Sequence, residues 1–205
     1  MRRNDPTEAR GSFDGPSPEG DAPLSDRAVI EGVRRRDPDA LRRVYDAAFP
    51  HVYGLAYRLS GNRVRAEDIA QDVFLKVYRG AHRLDPDRSM KPWLSTVTLN
   101  AFRDRMRRRS RRSEIAVDPT TIDALGHTSD DPEYGLVKEE RRRALEMCIR
   151  ALEAKLRESV VLRAWSGHSH GEVAGLLGIT AAAARKRYSR ALAQLKACLG
   201  EPNDE

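Results

Sequence analysis

The densest charge in the sequence lies between Arg103 and Arg112. Seven arginines and one aspartate give this segment a net charge of +6, equal to the formal charge of the whole 205-residue chain. A guanidinium fork fits phosphate oxygens, and phosphate contacts position a protein on nucleic acid without reading its sequence. We therefore interpret the segment as a nucleic-acid-binding surface. The alternative is a solvated helix end before a linker.

An apolar stripe precedes the charged segment and is expected to hold it in place. Trp93, Val97 and Ala101 recur at i, i+4 spacing, with Leu94 and Phe102 beside them. This pattern predicts a helix over 92–112 whose first half is buried and whose second half is exposed. Stacking of the aromatic residues on bases is the alternative, but their helical spacing favours packing in the core.

A second unusual surface lies on a helix predicted over 66–79. Four residues fall on one face at i, i+4, i+7 and i+11, with a glutamine beside them: Asp68, Asp72, Leu75, Arg79 and Gln71. A leucine framed by carboxylates is typical of a protein-docking surface, in which the apolar residue anchors the partner and the charges steer it. A solvated face with one stray leucine is the alternative. The opposite, buried stripe comprises Ile69, Ala70, Val73, Val77 and Tyr78.

Two short helices near the end of the sequence match a helix-turn-helix. Ser169 and Glu172 form a capping box that begins the first helix, Gly178 ends it, and Thr180 caps the second. In this motif the N-terminal half of the second helix enters the major groove, where Arg and Lys read guanine edges or hold phosphates. The basic residues there are Arg185, Lys186, Arg187 and Arg190. An ordinary helical pair with a solvated basic face is the alternative.

The sequence contains no arrangement of residues that indicates catalysis. The nearest candidate for a metal site is His168, His170 and Glu172, and a turn with a capping box explains these residues more simply. No glycine-rich phosphate-binding loop is present. We expect no catalytic residue, no metal and no cofactor.

The two cysteines, Cys148 and Cys198, show neither a CxxC pair nor metal-ligand spacing with histidine. They argue for a reducing cytosol and against a disulfide or a structural zinc, and we expect them to be small packing groups. No apolar run approaches the roughly 18 residues that span a bilayer, and no secretion signal is present. We therefore expect a cytoplasmic protein without membrane insertion.

The chain as a whole predicts an all-α fold of two small helical domains joined by a flexible linker, with the helix-turn-helix in the second domain. Ser25 is expected to cap the first helix, Asp37 and Pro38 to begin the next, and Pro50 to kink or interrupt it. The expected boundaries are a disordered tail over 1–24, a first domain over 25–112, a linker over 113–135, a second domain over 136–199 and a tail over 200–205.

Three groups of motifs occur in a recognisable order. They are Ala66-Glu67-Asp68-Ile69-Ala70-Gln71-Asp72-Val73-Phe74, then Trp93-Leu94 with Asn100 and Arg103-Asp104, then the Leu177-Gly178-Ile179 turn with Arg187 and Arg190-Ala191. Over roughly 41–112 and 145–195, the chain resembles bacterial RNA polymerase sigma factors of the extracytoplasmic-function type. The resemblance implies a factor that binds polymerase core and directs promoter-specific initiation by −35 recognition and −10 melting.

The resemblance also implies roles for particular residues. Docking on the clamp helices of the largest polymerase subunit would involve Asp68, Gln71, Asp72 and Leu75. Contacts along the −10 strand would involve Asn100, Arg103, Arg107 and Arg108, while the loop over 80–90 holds a flipped base. Reading of the −35 element would involve Arg185, Lys186, Arg187, Ser189 and Arg190. The linker would thread the polymerase cleft, and an anti-sigma factor is a further candidate partner.

The chain departs from the family pattern at three places. Ala182-Ala183-Ala184 replaces the usual Gly-Thr-Val, Lys186 stands where serine is frequent, and Arg65 replaces an acidic residue. The promoter sequence therefore cannot be carried over from relatives. Two other functions remain open at this point: a free-standing helix-turn-helix regulator that acts without polymerase core, and an interaction module that binds polymerase without reading DNA.

Overall fold

The structure is a computed structural model that describes residues 22–112 and 132–200, with side chains described over 22–109 and 140–200. Every regular element in these ranges is helical, so the predicted all-α fold class is confirmed. The helices are α1 (Ala22–Ser25), α2 (Arg27–Arg34), α3 (Pro38–Ser60), α4 (Arg63–Gly80), α5 (Met90–Arg112), α6 (Pro132–Ala151), α7 (Ala154–Val160), α8 (His170–Leu177) and α9 (Ala181–Leu199). A 3₁₀ turn, Ala81–Arg83, follows α4, and a π-helical turn, Val161–Trp165, follows α7.

Local sequence signals set the ends of α3 and α4. The carboxylate of Asp37 accepts a hydrogen bond from the backbone N–H of Ala40, and Pro38 occupies the first turn, where its missing N–H costs nothing. Gly61 ends α3 in a left-handed conformation, with φ 65°. Asn62 then caps α4 through the N–H of Arg65.

Two expectations about this part of the chain need correction. Of the two outcomes predicted at Pro50, a kink or an interruption, the interruption is wrong: α3 continues through Pro50, because buried residues on both sides hold the two halves on one core and offset the single lost hydrogen bond. Ser25 ends α1 and caps nothing, whereas Asp26 caps α2. The cap therefore lies one residue later than the sequence predicts.

The predicted boundaries also shift at both ends of the described ranges. Residues 22–24, assigned to the disordered tail, lie in α1, and Leu24 is fully buried in the core. Helix α6 begins at Pro132, so the last residues of the predicted linker are helical. The rest of the linker, residues 113–131, and residues 1–21 and 201–205 lie outside the described residues.

Five helices build the first domain, with α3 in its centre packed against α1, α2, α4 and α5. The first half of α5 is anchored as the apolar stripe predicts: Leu94, Leu99, Ala101 and Phe102 are buried, and Trp93 and Val97 pack against them. The basic half of the same helix therefore extends from a fixed base. Tyr78, assigned to the buried stripe of α4, is instead half-exposed beneath the guanidinium of Arg36.

The helix-turn-helix is formed by α8 and α9. The Ser169 hydroxyl accepts from the N–H of Glu172, while the Glu172 carboxylate accepts from the N–H of Ser169, which completes the predicted capping box. Gly178 ends α8 in the left-handed region, and the Thr180 hydroxyl accepts from the N–H of Ala183 to begin α9.

The expectation that both cysteines are unpaired is wrong. Cys148 on α6 and Cys198 on α9 form a disulfide with their Cα atoms 5.9 Å apart. The pairing spans 50 residues of sequence, and only the packing of α6 against α9 brings the two thiols together. Spacing alone cannot reveal such a pair, because it does not say which helices face each other.

Candidate nucleic-acid interface

The exposed face of α4 carries the predicted docking residues. Leu75 is 44% exposed and Gln71 is exposed beside it, one turn apart. Val64, which is 66% exposed, continues this face toward the start of the helix. The sequence reading missed Val64, although its i, i+7, i+11 spacing with Gln71 and Leu75 was available as a signal.

The two carboxylates of the same face already have a partner within the domain. Asp68 and Asp72 are both bound by the guanidinium of Arg105, which reaches across from α5. The two carboxylate side chains keep 48% and 42% of their surface exposed. The predicted docking face is therefore anionic and accessible, and Arg105 neutralises part of its negative charge.

The four predicted −10 residues on α5 differ in what they contact. Asn100 and Arg108 are exposed. Arg107 is exposed and forms an ion pair with Asp104, three residues earlier on the helix. Arg103 is only partly exposed, because a second domain covers it.

Arg103 is held by the second domain through three hydrogen bonds. Its Nη2 and Nε donate to the Glu158 carboxylate at 2.7 and 3.3 Å, and its Nη1 donates to the carbonyl of Leu176 at 3.2 Å. The Glu158 side chain is only 13% exposed. A carboxylate from α7 thus occupies the place that a phosphate takes in a bidentate arginine contact.

Aromatic and carbonyl groups complete the contact between the domains. The guanidinium of Arg58 lies 3.5 Å from the ring centroid of Trp165, and Gly54 lets the ring approach the backbone of α3. Arg157 donates to the carbonyl of Leu59 at 3.1 Å. Burial lowers the pKa of Arg58 to about 10, opposed by the nearby charge of Glu146. None of these interdomain partners could be identified from the sequence.

The basic face of α9 remains open. Arg185, Lys186, Ser189 and Arg190 are exposed, and Arg187 is partly exposed. Ala184 and Ala191 are fully buried, so α9 packs against its neighbours through these two alanines and presents its cations outward. The second domain therefore keeps its predicted major-groove surface free while it covers Arg103 of the first domain.

The histidines and the glutamate at the start of α8 act in local structure. Glu172 is engaged in the capping box, and hydrogen bonds from the backbone and hydroxyl of Ser169 lower its pKa. The ring of His170 packs edge-on against Tyr188. Over the described ranges, no cluster of three or more His, Cys, Asp or Glu residues has the geometry to hold a metal ion. The described helices also include none that is long and apolar enough to cross a membrane.

Comparison with known families gives two matches. The Sigma-70 region 2 family matches residues 44–112, which contain most of α3 and all of α4 and α5. The Sigma-70 region 4 family matches residues 142–195, which contain the second half of α6, all of α7 and α8 and most of α9.

Individual relatives agree with these matches. RNA polymerase sigma factor CarQ of Myxococcus xanthus is 33% identical over 172 residues, covering 84% of this chain and 96% of the relative. ECF RNA polymerase sigma factor SigK of Mycolicibacterium vanbaalenii is 33% identical over 181 residues, covering 84% and 88%.

Solved structures share the fold. The sigma factor RpoE in complex with the anti-sigma factor NepR from Bartonella quintana superposes with a TM-score of 0.64 at 24% identity, covering 78% of this chain and 96% of that one. CnrH in complex with the cytosolic domain of CnrY gives a TM-score of 0.59 at 24% identity, covering 86% and 97%.

Proposed function

The chain belongs to the RNA polymerase sigma factors of the extracytoplasmic-function group, and from this premise we propose which of its surfaces dock polymerase core, hold the −10 strand and read the −35 element. Sigma factors are transcription initiation factors. They bind RNA polymerase core and promoter DNA. This chain performs that role by binding alone, and the described residues hold no cluster of His, Cys, Asp or Glu that could bind a metal ion.

Core docking uses the exposed face of α4. Leu75 is the apolar anchor, Gln71 lies beside it, and Asp68 and Asp72 supply negative charge on one side. Such a face fits a partner with an apolar groove rimmed by cations, and the clamp helices of the largest polymerase subunit are the proposed partner. The exposure of Leu75 beside these carboxylates is the observation that carries the proposal, because a free-standing DNA-binding regulator needs no such apolar anchor.

The −10 strand follows the basic half of α5. Asn100 and Arg108 are exposed and can contact the strand in this structure. Arg107 can do so once a phosphate replaces Asp104 as its partner. Arg103 can do so once the second domain moves away from it. A flipped base is held by the loop over 80–90. Unstacking a base costs a few kcal/mol, which a basic track along the strand offsets.

The −35 element is read by the N-terminal half of α9. Arg185 and Lys186 are the base-reading candidates, while Arg187, Ser189 and Arg190 complete the contacting face. The first domain over 25–112 and the second over 136–199 would then contact the two promoter elements separately. The segment over 113–135 would connect them through the polymerase cleft, and the factor would act in the cytoplasm, where polymerase lies. An anti-sigma factor, as bound by RpoE, is a proposed further partner.

The proposal is tested by transcription in vitro with a sigma-free bacterial core polymerase on a genomic fragment library. We expect discrete start sites that share −35 and −10 patterns and depend on this protein. The Leu75→Arg variant should lose affinity for core while keeping its helical content, and Lys76→Ala, an exposed change on the same helix, serves as control. Unchanged core affinity of Leu75→Arg contradicts the docking assignment. Sequence-specific DNA retention without any initiation favours the free-standing regulator.

A further inference from the structure

Arg105 links the docking face of α4 to the basic half of α5. Its Nε donates to Oδ2 of Asp72 at 2.9 Å, and its Nη1 donates to Oδ2 of Asp68 at 2.9 Å. Its Nη2 lies 2.8 Å from Oδ2 of Asp72 and donates to the backbone carbonyl of Asp68 at 3.1 Å. All three guanidinium nitrogens therefore point at α4, and the arginine is neutralised within the domain.

The same residue belongs to the helix proposed to follow the −10 strand. Arg105 and Arg108 are neighbours at i, i+3 on α5, so the long side chain of Arg105 can extend beside Arg108 when α4 does not hold it. Nothing in the spacing of the arginines distinguishes Arg105 from the others. Only its two carboxylate partners set it apart.

The carboxylates that hold Arg105 are the charged part of the proposed docking face. Both keep nearly half of their surface exposed, so their outer oxygen positions can accept donors from a partner. Two carboxylates facing one guanidinium leave one negative charge for a cationic partner. Cations supplied by that partner weaken the electrostatic attraction between the two carboxylates and Arg105.

We propose that Arg105 is a DNA-binding residue whose availability depends on core docking: Asp68 and Asp72 hold it in the free protein, and polymerase cations on those carboxylates release it to a −10 phosphate. The inference rests on the proposed function of both surfaces. It makes core binding and DNA binding mutually favourable, because each removes one partner from the same ion-pair network.

The test measures binding of a labelled single strand by the free protein and by its complex with core. The probe is the non-template −10 strand of a promoter mapped in the transcription experiment, at low ionic strength where phosphate contacts are strong. Arg105→Gln should leave the affinity of the free protein unchanged within about twofold. In the core complex it should weaken binding and make the slope of log affinity against log salt shallower by about 0.7, the value of one phosphate contact.

Arg42→Gln is the matched control. Arg42 lies on α3 and pairs with one carboxylate, Asp46, at 3.8 Å, so its replacement removes the same charge away from the proposed track. We expect Arg42→Gln to change the DNA affinity of the free protein and of the core complex only by the effect of the change in net charge. An equal loss of affinity for Arg105→Gln in both states overturns the inference.

A second variant tests the release directly. Asp72→Asn keeps the shape of the side chain but weakens the hold on Arg105, so the free protein should bind the strand more tightly, by about threefold. The double variant Asp72→Asn/Arg105→Gln should lose that gain. A purely structural role for Arg105 predicts a gain no larger than that of Asp46→Asn, which removes the same charge from α3, and that result overturns the proposal. Thermal unfolding of each variant shows whether the fold persists, and Arg105→Lys provides a charged replacement if Arg105→Gln does not fold.

The outcome also separates this inference from the proposed function. If Leu75→Arg abolishes core binding while Arg105→Gln weakens DNA binding equally with and without core, the docking assignment holds and the coupling fails. If Leu75→Arg leaves core binding intact, the docking assignment itself fails and the coupling fails with it.

Discussion

Arg103 and Glu158 form a bidentate ion pair across the two domains, with Nη2 of the arginine 2.7 Å from the carboxylate. The −35 and −10 elements are named for their positions relative to the transcription start. They therefore lie about 25 base pairs apart, or about 85 Å along B-DNA. A compact chain of this length has a radius of gyration of only about 17 Å. With one promoter element assigned to each domain, as proposed above, the packed arrangement cannot contact both elements, and the Arg103–Glu158 pair is expected to break when the protein binds a promoter.

The first prediction concerns this ion pair. Glu158→Gln should weaken the closed arrangement and free Arg103, so the core-free protein should bind the −10 strand about fivefold more tightly. The measurement is fluorescence anisotropy with a labelled strand. Glu153→Gln, an exposed change immediately before α7, removes the same charge without touching Arg103 and should give a smaller gain. Equal gains for the two variants would mean that only net charge matters.

The second prediction uses a glycine to open the domains without changing any charge. A Cβ at Gly54 would lie 2.8 Å from Cζ2 of Trp165, so Gly54→Ala must displace the ring that packs on α3. The first domain itself should not be weakened, because alanine favours a helix interior by about 1 kcal/mol over glycine. Small-angle scattering should report a larger radius of gyration.

Gly80→Ala is the control for that experiment. A Cβ there meets no atom within 4 Å, so its scattering profile should match that of the unmodified protein. A Gly54→Ala profile identical to the control contradicts the packing of Trp165 on α3 as a determinant of closure.

The third prediction concerns reading of the −35 element. Arg185→Ala and Lys186→Ala should each reduce discrimination between an intact and a scrambled −35 element by about tenfold, because one good base contact supplies about 1–3 kcal/mol. Run-off transcription on the two templates measures the ratio. Lys155→Ala, an exposed change on α7, should leave the ratio unchanged. Full selectivity in both variants would remove these residues from the reading face.

The fourth prediction concerns the disulfide. Reduction of Cys148–Cys198, which closes a separation of 50 residues, should lower the unfolding free energy of the second domain by about 2–4 kcal/mol. Thermal unfolding with and without dithiothreitol measures this. The double variant Cys148→Ser/Cys198→Ser should melt at the lower temperature in both conditions. A melting temperature that does not respond to reductant contradicts the pairing.

The fifth prediction concerns acid. Burial lowers the pKa of His168, and the nearby positive charge of Lys91 acts in the same direction while Glu172 opposes it. The unfolded chain therefore binds a proton on this residue at a pH where the folded chain does not. The stability that follows is complete above about pH 6.5 and is lost as the pH falls through the folded pKa.

His168→Gln should flatten the dependence of the melting temperature on pH between about 7 and 5. His82→Gln, which replaces an exposed histidine, is the control and should retain the slope of the unmodified protein. A His168→Gln protein that keeps the full slope would show that burial of this imidazole does not control the acid response.

The elements themselves followed closely from local sequence. Several helix ends are set by local residues: Asp37 with Pro38, Gly61, the Ser169–Glu172 capping box and Gly178. Each acts on residues close to it in sequence, so its effect can be predicted without knowledge of the tertiary structure. The incorrect prediction of Ser25 as a cap is also a local one, since the adjacent residue, Asp26, caps the helix. At Pro50 the local rule failed, because tertiary packing on both sides of the proline outweighs one missing hydrogen bond.

By itself, the sequence determined the helical fold class, the two-domain family and the residue types on each surface, because periodicity, capping and charge are local properties. Only the tertiary structure decided which charges meet. Arg105 reaches Asp68 and Asp72, Glu158 covers Arg103, and Cys148 joins Cys198 across tens of residues of sequence. Such pairs depend on how helices cross, and no spacing rule along one helix contains that information.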